Sequence, residues 1–148
     1  MVETVLHTWS GTCVHCVVSA DRPLRGVAPV DEGSVEASKK DATSMAFCYN
    51  VGRLLLTTPL ADIQDTSAYD AVFFAGGFGT VWDFPDNADI QRIVKEMWED
   101  DKVVSGNGHG PLALVNVVLS DSTPLVEGRD VSAFTNAEEV FFQPKVKI

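Results

Sequence analysis

The clearest apolar run in the chain is residues 69–75, Tyr-Asp-Ala-Val-Phe-Phe-Ala, with turn-forming residues on either side. Alternating polarity would mark a strand with one wet face. A nearly unbroken run instead predicts a central strand buried on both faces. Gly76, Gly77 and Gly79 end it. A second pattern begins after Pro85, where Ile90, Ile93, Val94, Met97 and Trp98 recur at spacings of three and four. This predicts a helix with one apolar face, capped at Asp86 or Asn87 and running to Glu99. Residues 102–106 then form another apolar strand, and residues 111–119 a helix that leaves it. Strand, helix, strand and helix in this rhythm predict an α/β sandwich, its central sheet mostly parallel and its helices on both faces.

The amino-terminal half is less regular. Residues 2–9 and 14–20 both have strand character, yet only Ser10, Gly11, Thr12 and Cys13 separate them. A parallel crossover needs a dozen or so residues, so the first strand either pairs antiparallel or is missing. Residues 23–33 read as a loop. Residues 35–54 read as a helix carrying Met45, Ala46, Cys48, Tyr49 and Val51, and residues 57–66 as a connector. Beyond Leu119, β character returns at residues 124–127 and 130–134. There is no internal repeat, and the 148 residues are expected to form one domain.

Charge narrows the partners. A formal net charge of −10 repels phosphate backbones and anionic lipids, which argues against nucleic acid and membrane partners. The first residues resemble no secretory leader, so a cytoplasmic location is expected. Three cysteines, Cys13, Cys16 and Cys48, fit a reducing compartment. Cys13 and Cys16 have the spacing of a thiol redox pair or half a zinc site. Cys16, however, falls inside a predicted strand, away from a helix start that would stabilise a thiolate, and no second pair completes a metal site. A thiol redox protein is therefore a remote alternative, and no metal is expected. Glu99, Asp100 and Asp101 read as a solvated loop. The glycine loops do not fit a dinucleotide fingerprint, so no cofactor is predicted.

The candidate chemistry lies at Gly106-Asn107-Gly108-His109-Gly110-Pro111, a glycine-rich corner between strand and helix. Such corners thrust one side chain out over the carboxyl ends of the strands and commonly hold a nucleophile. The centre here is Gly108, which has none. Trp82, Phe84 and Trp98 read as core and helix-packing residues, Trp82 alternatively as a pocket mouth.

Three segments together resemble the ThiJ/PfpI superfamily, the group of the Parkinson's-disease deglycase, and in particular its heat-shock chaperone and glyoxalase branch. They are residues 69–87 (with Gly-Gly-Phe-Gly-Thr-Val-Trp-Asp-Phe-Pro-Asp-Asn), residues 108–117 (Gly-His-Gly-Pro-Leu-Ala-Leu-Val-Asn-Val) and residues 134–139 (Phe-Thr-Asn-Ala-Glu-Glu). The resemblance spans roughly residues 14–140 and implies a flavodoxin-like fold, a homodimer and a catalytic cysteine at the corner. Gly108 stands where that cysteine is expected, Phe78 where the glycine loop has histidine, and Ala75 where it has proline. His109 would handle protons, with Glu139 or Glu138 as the acid that orients it. Gly76, Gly77, Phe78 and Gly110 would line the ligand site, the amides of Gly77 and His109 forming an oxyanion hole. The domain, 1–148, looks shortened at both ends, and Glu3 cannot be assumed to replace the glutamate that relatives place beside the cysteine. These substitutions imply an impaired or inactive homologue acting by binding, either a chaperone-like stress protein with unfolded clients or a binder of small carbonyl compounds. Without a nucleophile to serve, His109 is expected to be first an oriented structural residue. The alternative is a glyoxalase-type lyase or hydrolase acting on small aldehydes such as methylglyoxal through His109 and Glu139.

Overall fold

The computed structural model describes residues 4–7, 15–19, 26–27, 36, 39–43, 45–46, 56–77 and 80–142. Among the described residues six strands form one sheet: β1 (Thr4–His7), β2 (His15–Ser19), β3 (Gly26–Val27), β4 (Leu56–Pro59), β5 (Ala71–Phe74) and β6 (Val103–Gly106), in the order β3-β4-β2-β1-β5-β6. β1 pairs antiparallel with both β2 and β5, which settles the question left by the short gap after it. β2 is parallel to β4 and β5 to β6, while β3 opposes β4. It follows that β2, β4, β5 and β6 all run one way, with β1 and β3 reversed. Bounded helices among the described residues are α1 (Thr80–Asp83), α2 (Ala88–Glu99) and α3 (Asn136–Phe142), with short 3-10 turns at Leu60–Asp62 and Gly110–Leu114.

The apolar stripe of α2 does what its spacing predicts. Ile90, Ile93, Val94 and Met97 are fully buried and pack with Val72, Phe74, Phe84, Leu60, Ala113, Val117 and Leu125 into one core. Phe74 and Phe84 meet edge to face, with ring centroids 5.5 Å apart. The helix starts where the side chain of Asn87 accepts hydrogen bonds from the amides of Asp89 and Ile90, both at 3.0 Å. It ends in a Schellman motif: the Asp101 amide donates to the Trp98 carbonyl and the Lys102 amide to that of Met97. Asp101 takes the left-handed conformation there, with φ 56°. The chain then enters β6 directly.

Several expectations need correction. β5 is buried on one face only. Val72 and Phe74 lie under α2, while Phe73, pointing the other way, is 39% exposed. The expected connector at residues 57–66 contains β4, which exists because β2 pairs with it at Val18–Thr58. The helix expected over residues 111–119 is a single 3-10 stretch. Val115, Val117 and Val118 disfavour helix continuation, and the turn that follows at residues 119–123, with Ser122 at φ 70°, reverses the chain. Of the β character expected over residues 124–134, the described structure shows one bridge, Val118 to Pro124. Trp82 is 63% exposed, so it is no core residue, whereas Phe84 is buried and Trp98 packs at the core's margin. Part of the helix expected over residues 35–54 is described, with helical backbone at residues 36, 42–43 and 45–46; the rest lies outside the described residues. Cys16 sits in β2 opposite Leu6, and Cys13 and Cys48 lie outside the described residues.

Because the start and end of α2 rest on single residues, they can be tested separately. Asn87→Ala is expected to lower the free energy of unfolding by about 1 kcal/mol in urea titrations. Asp101→Gly, which relieves a left-handed side chain, is expected to raise it by up to about 1 kcal/mol.

Candidate functional site

Parallel pairing of β5 with β6 aligns Phe74 with Gly106, so the two strands end together and their outgoing loops run side by side. This is the carboxyl end of the sheet, where ligand sites of open α/β folds form. The contact between the loops is too close for side chains. A Cβ on Gly76 would lie 2.1 Å from the Asn107 carbonyl oxygen, and one on Gly110 would lie 2.1 Å from that of Phe74. Gly110 is therefore a packing residue of the corner, buried against β5, although the motif suggested a ligand contact.

Asn107 ties the loops together. Its amide donates to the Phe74 carbonyl at 3.2 Å, its carbonyl accepts from the Gly110 amide at 2.7 Å, and its side-chain oxygen accepts from the Gly76 amide at 2.7 Å. Thr80, the buried first residue of α1, adds a second tie. Its hydroxyl lies 2.8 Å from the Gly77 carbonyl and 3.4 Å from that of His109.

At the apex, Gly108 has φ +52°, the left-handed conformation of a residue held out from a sharp turn. A Cβ there would meet only the Gly76 Cα, at 3.9 Å, which is ordinary contact. The glycine-rich corner expected from the sequence is present, with open space above Gly108.

His109 follows with its side chain only 11% exposed. Its ring stacks on Phe134, centroids 4.3 Å apart and planes inclined by 27°. Its Nε2 is hydrogen-bonded to Oε1 of Glu139 on α3, itself 23% exposed. Of the two acids considered, Glu139 is the one that reaches the imidazole. A carboxylate at Nε2 holds the proton on that nitrogen and leaves Nδ1 as the acceptor of the neutral ring. The pair can thus take up a proton at Nδ1 and stabilise the resulting imidazolium. Gly76, Gly77, Gly108, His109, Gly110 and Glu139 are all drawn to one end of the sheet, while Phe78 and Glu3 lie outside the described residues. Sequence reasoning passed over Asn107, Thr80 and Phe134; an asparagine between two corner glycines was the one local signal available.

A separate cavity of about 300 Å³ runs along β6, lined by Trp98, Val104, Leu114, Leu125, Arg129 and Val131, and does not include the His109–Glu139 pair. Arg129 lies over the Trp98 ring, 5.0 Å from its centroid. Among the described residues no three His, Cys, Asp or Glu side chains converge as a metal site, and no helix is long and apolar enough to cross a membrane.

No family model matches the chain. The probable glutathione-independent glyoxalase hsp3103 of Schizosaccharomyces pombe is 34% identical over 90 residues, covering 59% of this chain and 34% of its own length. Glyoxalase 3 of Candida albicans is 35% identical over 78 residues, covering 51% and 32%. Among solved structures, the Rapid Encystment Protein 24 kDa of Francisella tularensis superposes with a TM-score of 0.69 at 32% identity, over 79% of this chain and 52% of that one. Glyoxalase III of Candida albicans gives 0.68 at 26% identity, over 79% and 51%. The chain has the flavodoxin-like α/β fold of these structures, and the sequence relatives it matches are glutathione-independent glyoxalases. It spans about a third of the length of those curated relatives and half that of the solved neighbours.

The corner geometry predicts opposite outcomes for two glycines. Gly108→Cys is expected to fold, at a cost of roughly 1–2 kcal/mol for the left-handed side chain, and to present a thiol that peptide mass spectrometry finds alkylated in the native state. Gly110→Ala is expected to yield no soluble folded protein on expression, because the Phe74 backbone occupies the space of the new methyl.

Proposed function

We propose that this chain carries a glyoxalase-type site for small 2-oxoaldehydes, in which His109 and Glu139 provide proton transfer without a covalent nucleophile. The observation that carries this reading is the hydrogen bond between His109 and Glu139 at the foot of an open position over Gly108. The glyoxalase names of the relatives support the substrate class.

The chemistry can be written without a thiol. In water a 2-oxoaldehyde such as methylglyoxal forms a hydrate, in which the aldehyde carbon bears two hydroxyls. Nδ1 of His109 removes the remaining hydrogen from that carbon as a proton, and the electron pair forms a carbon–carbon double bond and passes to the ketone oxygen, giving an enetriolate. The imidazolium, stabilised by Glu139, then returns a proton to the neighbouring carbon, and one hydroxyl proton passes to the former ketone oxygen to give lactic acid. The balance is one methylglyoxal plus one water giving one lactic acid, which ionises to lactate and a proton, with no external oxidant or reductant. The amides of Gly77 and His109 are the donors this reading assigns to the ketone oxygen as it gains charge.

General acid–base catalysis of this kind contributes about 10²–10⁴-fold, so turnover is expected to be slow. Gly108 itself favours a second reading, in which a small carbonyl compound, or an unfolded client, is bound and released unchanged. A homodimer belongs to either reading as a proposal.

Lactate formation from methylglyoxal, followed by proton NMR, separates the two. Slow turnover in the native protein, abolished by His109→Ala and lowered at least tenfold by Glu139→Gln, is the expected result. Saturable binding of methylglyoxal without turnover would favour the second reading, and the absence of both would overturn the site assignment.

A further inference from the structure

α3 begins with two adjacent acids that are used differently. Glu139 reaches His109. Glu138 turns back on the residue that precedes the helix: its carboxylate accepts from the Thr135 amide at 2.8 Å and from the Thr135 hydroxyl at 2.7 Å. The same hydroxyl accepts from the Glu138 amide at 3.3 Å, and the Thr135 carbonyl accepts from the Glu139 amide at 2.9 Å. This is a closed Thr-x-x-Glu capping box, two residues satisfying each other's helix-end groups. The bonds from the Thr135 amide and then its hydroxyl hold the Glu138 carboxyl below the usual carboxylate range.

The box sits between two contacts to one ring. Phe134, immediately before it, stacks on the face of His109, and Glu139, immediately after it, binds the ring edge at Nε2. We propose that Thr135 and Glu138 are positioning residues that close residues 134–139 into a clip around the His109 imidazole. The proposal deepens the assignment of His109 and Glu139 as the proton-transfer pair and rests on that reading for its catalytic consequence.

Two physical points give the box this weight. A helix of seven residues is too short to persist on its own propensity, so its first turn depends on capping and on tertiary contacts. Among the described side chains of α3, those of residues 136–140, none belongs to the buried core. Opening the box should therefore release Phe134 and Glu139 from the ring while leaving the core packed. Thr135 and Glu138 are themselves exposed, so truncating them buries no cavity.

The test uses the full chain with ¹⁵N-labelled histidine. The His109 ring signals are assigned by their loss in His109→Ala, which separates them from those of His7 and His15. Thr135→Ala and Glu138→Ala are each expected to move the His109 ring resonances toward their positions in Glu139→Gln and to remove the ring-current shift from Phe134, while Tm stays within a few degrees of wild type. Thr135→Ser and Glu138→Gln, which can rebuild the box, are expected to keep the wild-type spectrum. In methylglyoxal turnover the two alanine variants are expected to lose roughly ten- to a hundredfold in kcat, with KM little changed. Wild-type His109 resonances in both alanine variants would overturn the clip, whatever the activity. Shifted resonances in a protein with no turnover at all would uphold the clip and reject the proton-transfer reading.

Discussion

The register of β5 against β6 is the constraint from which the rest of the site follows. Phe74 stands opposite Gly106 at the end of that pairing, and it works on both sides of its own backbone. Its ring is buried edge-on to Phe84 in the core under α2, while its carbonyl receives the Asn107 amide and lies against Gly110. One residue thus fixes the core and seats the corner. A slip of one position would turn the side chains of β5 to the opposite face. It would also remove the acceptor on which the corner folds.

What could be read beforehand was what the chain encodes locally. The apolar run of β5, the three-four spacing of α2, the Asn87 cap and the glycine corner each carry their signal within a few residues. What escaped was non-local. Residues 56–59 become a strand because β2 lies beside them, and no pattern in Leu-Thr-Thr-Pro announces that neighbour. Residues 130–134 have strand propensity but make no ladder among the described residues, since propensity without an adjacent edge is not a strand. The sequence Thr-Asn-Ala-Glu is a legible helix start and opens α3, an element absent from the pattern-based expectations. In the site, the left-handed apex and the His109–Glu139 pairing were accessible from the motif. The side-chain bond of Asn107 to Gly76 spans 31 positions and depends on the fold.

The described part of the site is assembled from a continuous stretch, from β5 through α3. The chain matches about half of each solved neighbour. The contacts that bring Asn107, Gly76, His109 and Glu139 together are made between residues 71 and 139, across the β5–β6 pairing and from α3.

The conformation of Gly108 bears on how such a site changes over generations. At φ +52° any other side chain carries a steric penalty that glycine does not. Replacing a reactive residue at this apex with glycine is thus downhill for folding, and the neighbouring packing needs no adjustment. Any residue held at such an apex for its chemistry is therefore held against a standing cost in stability.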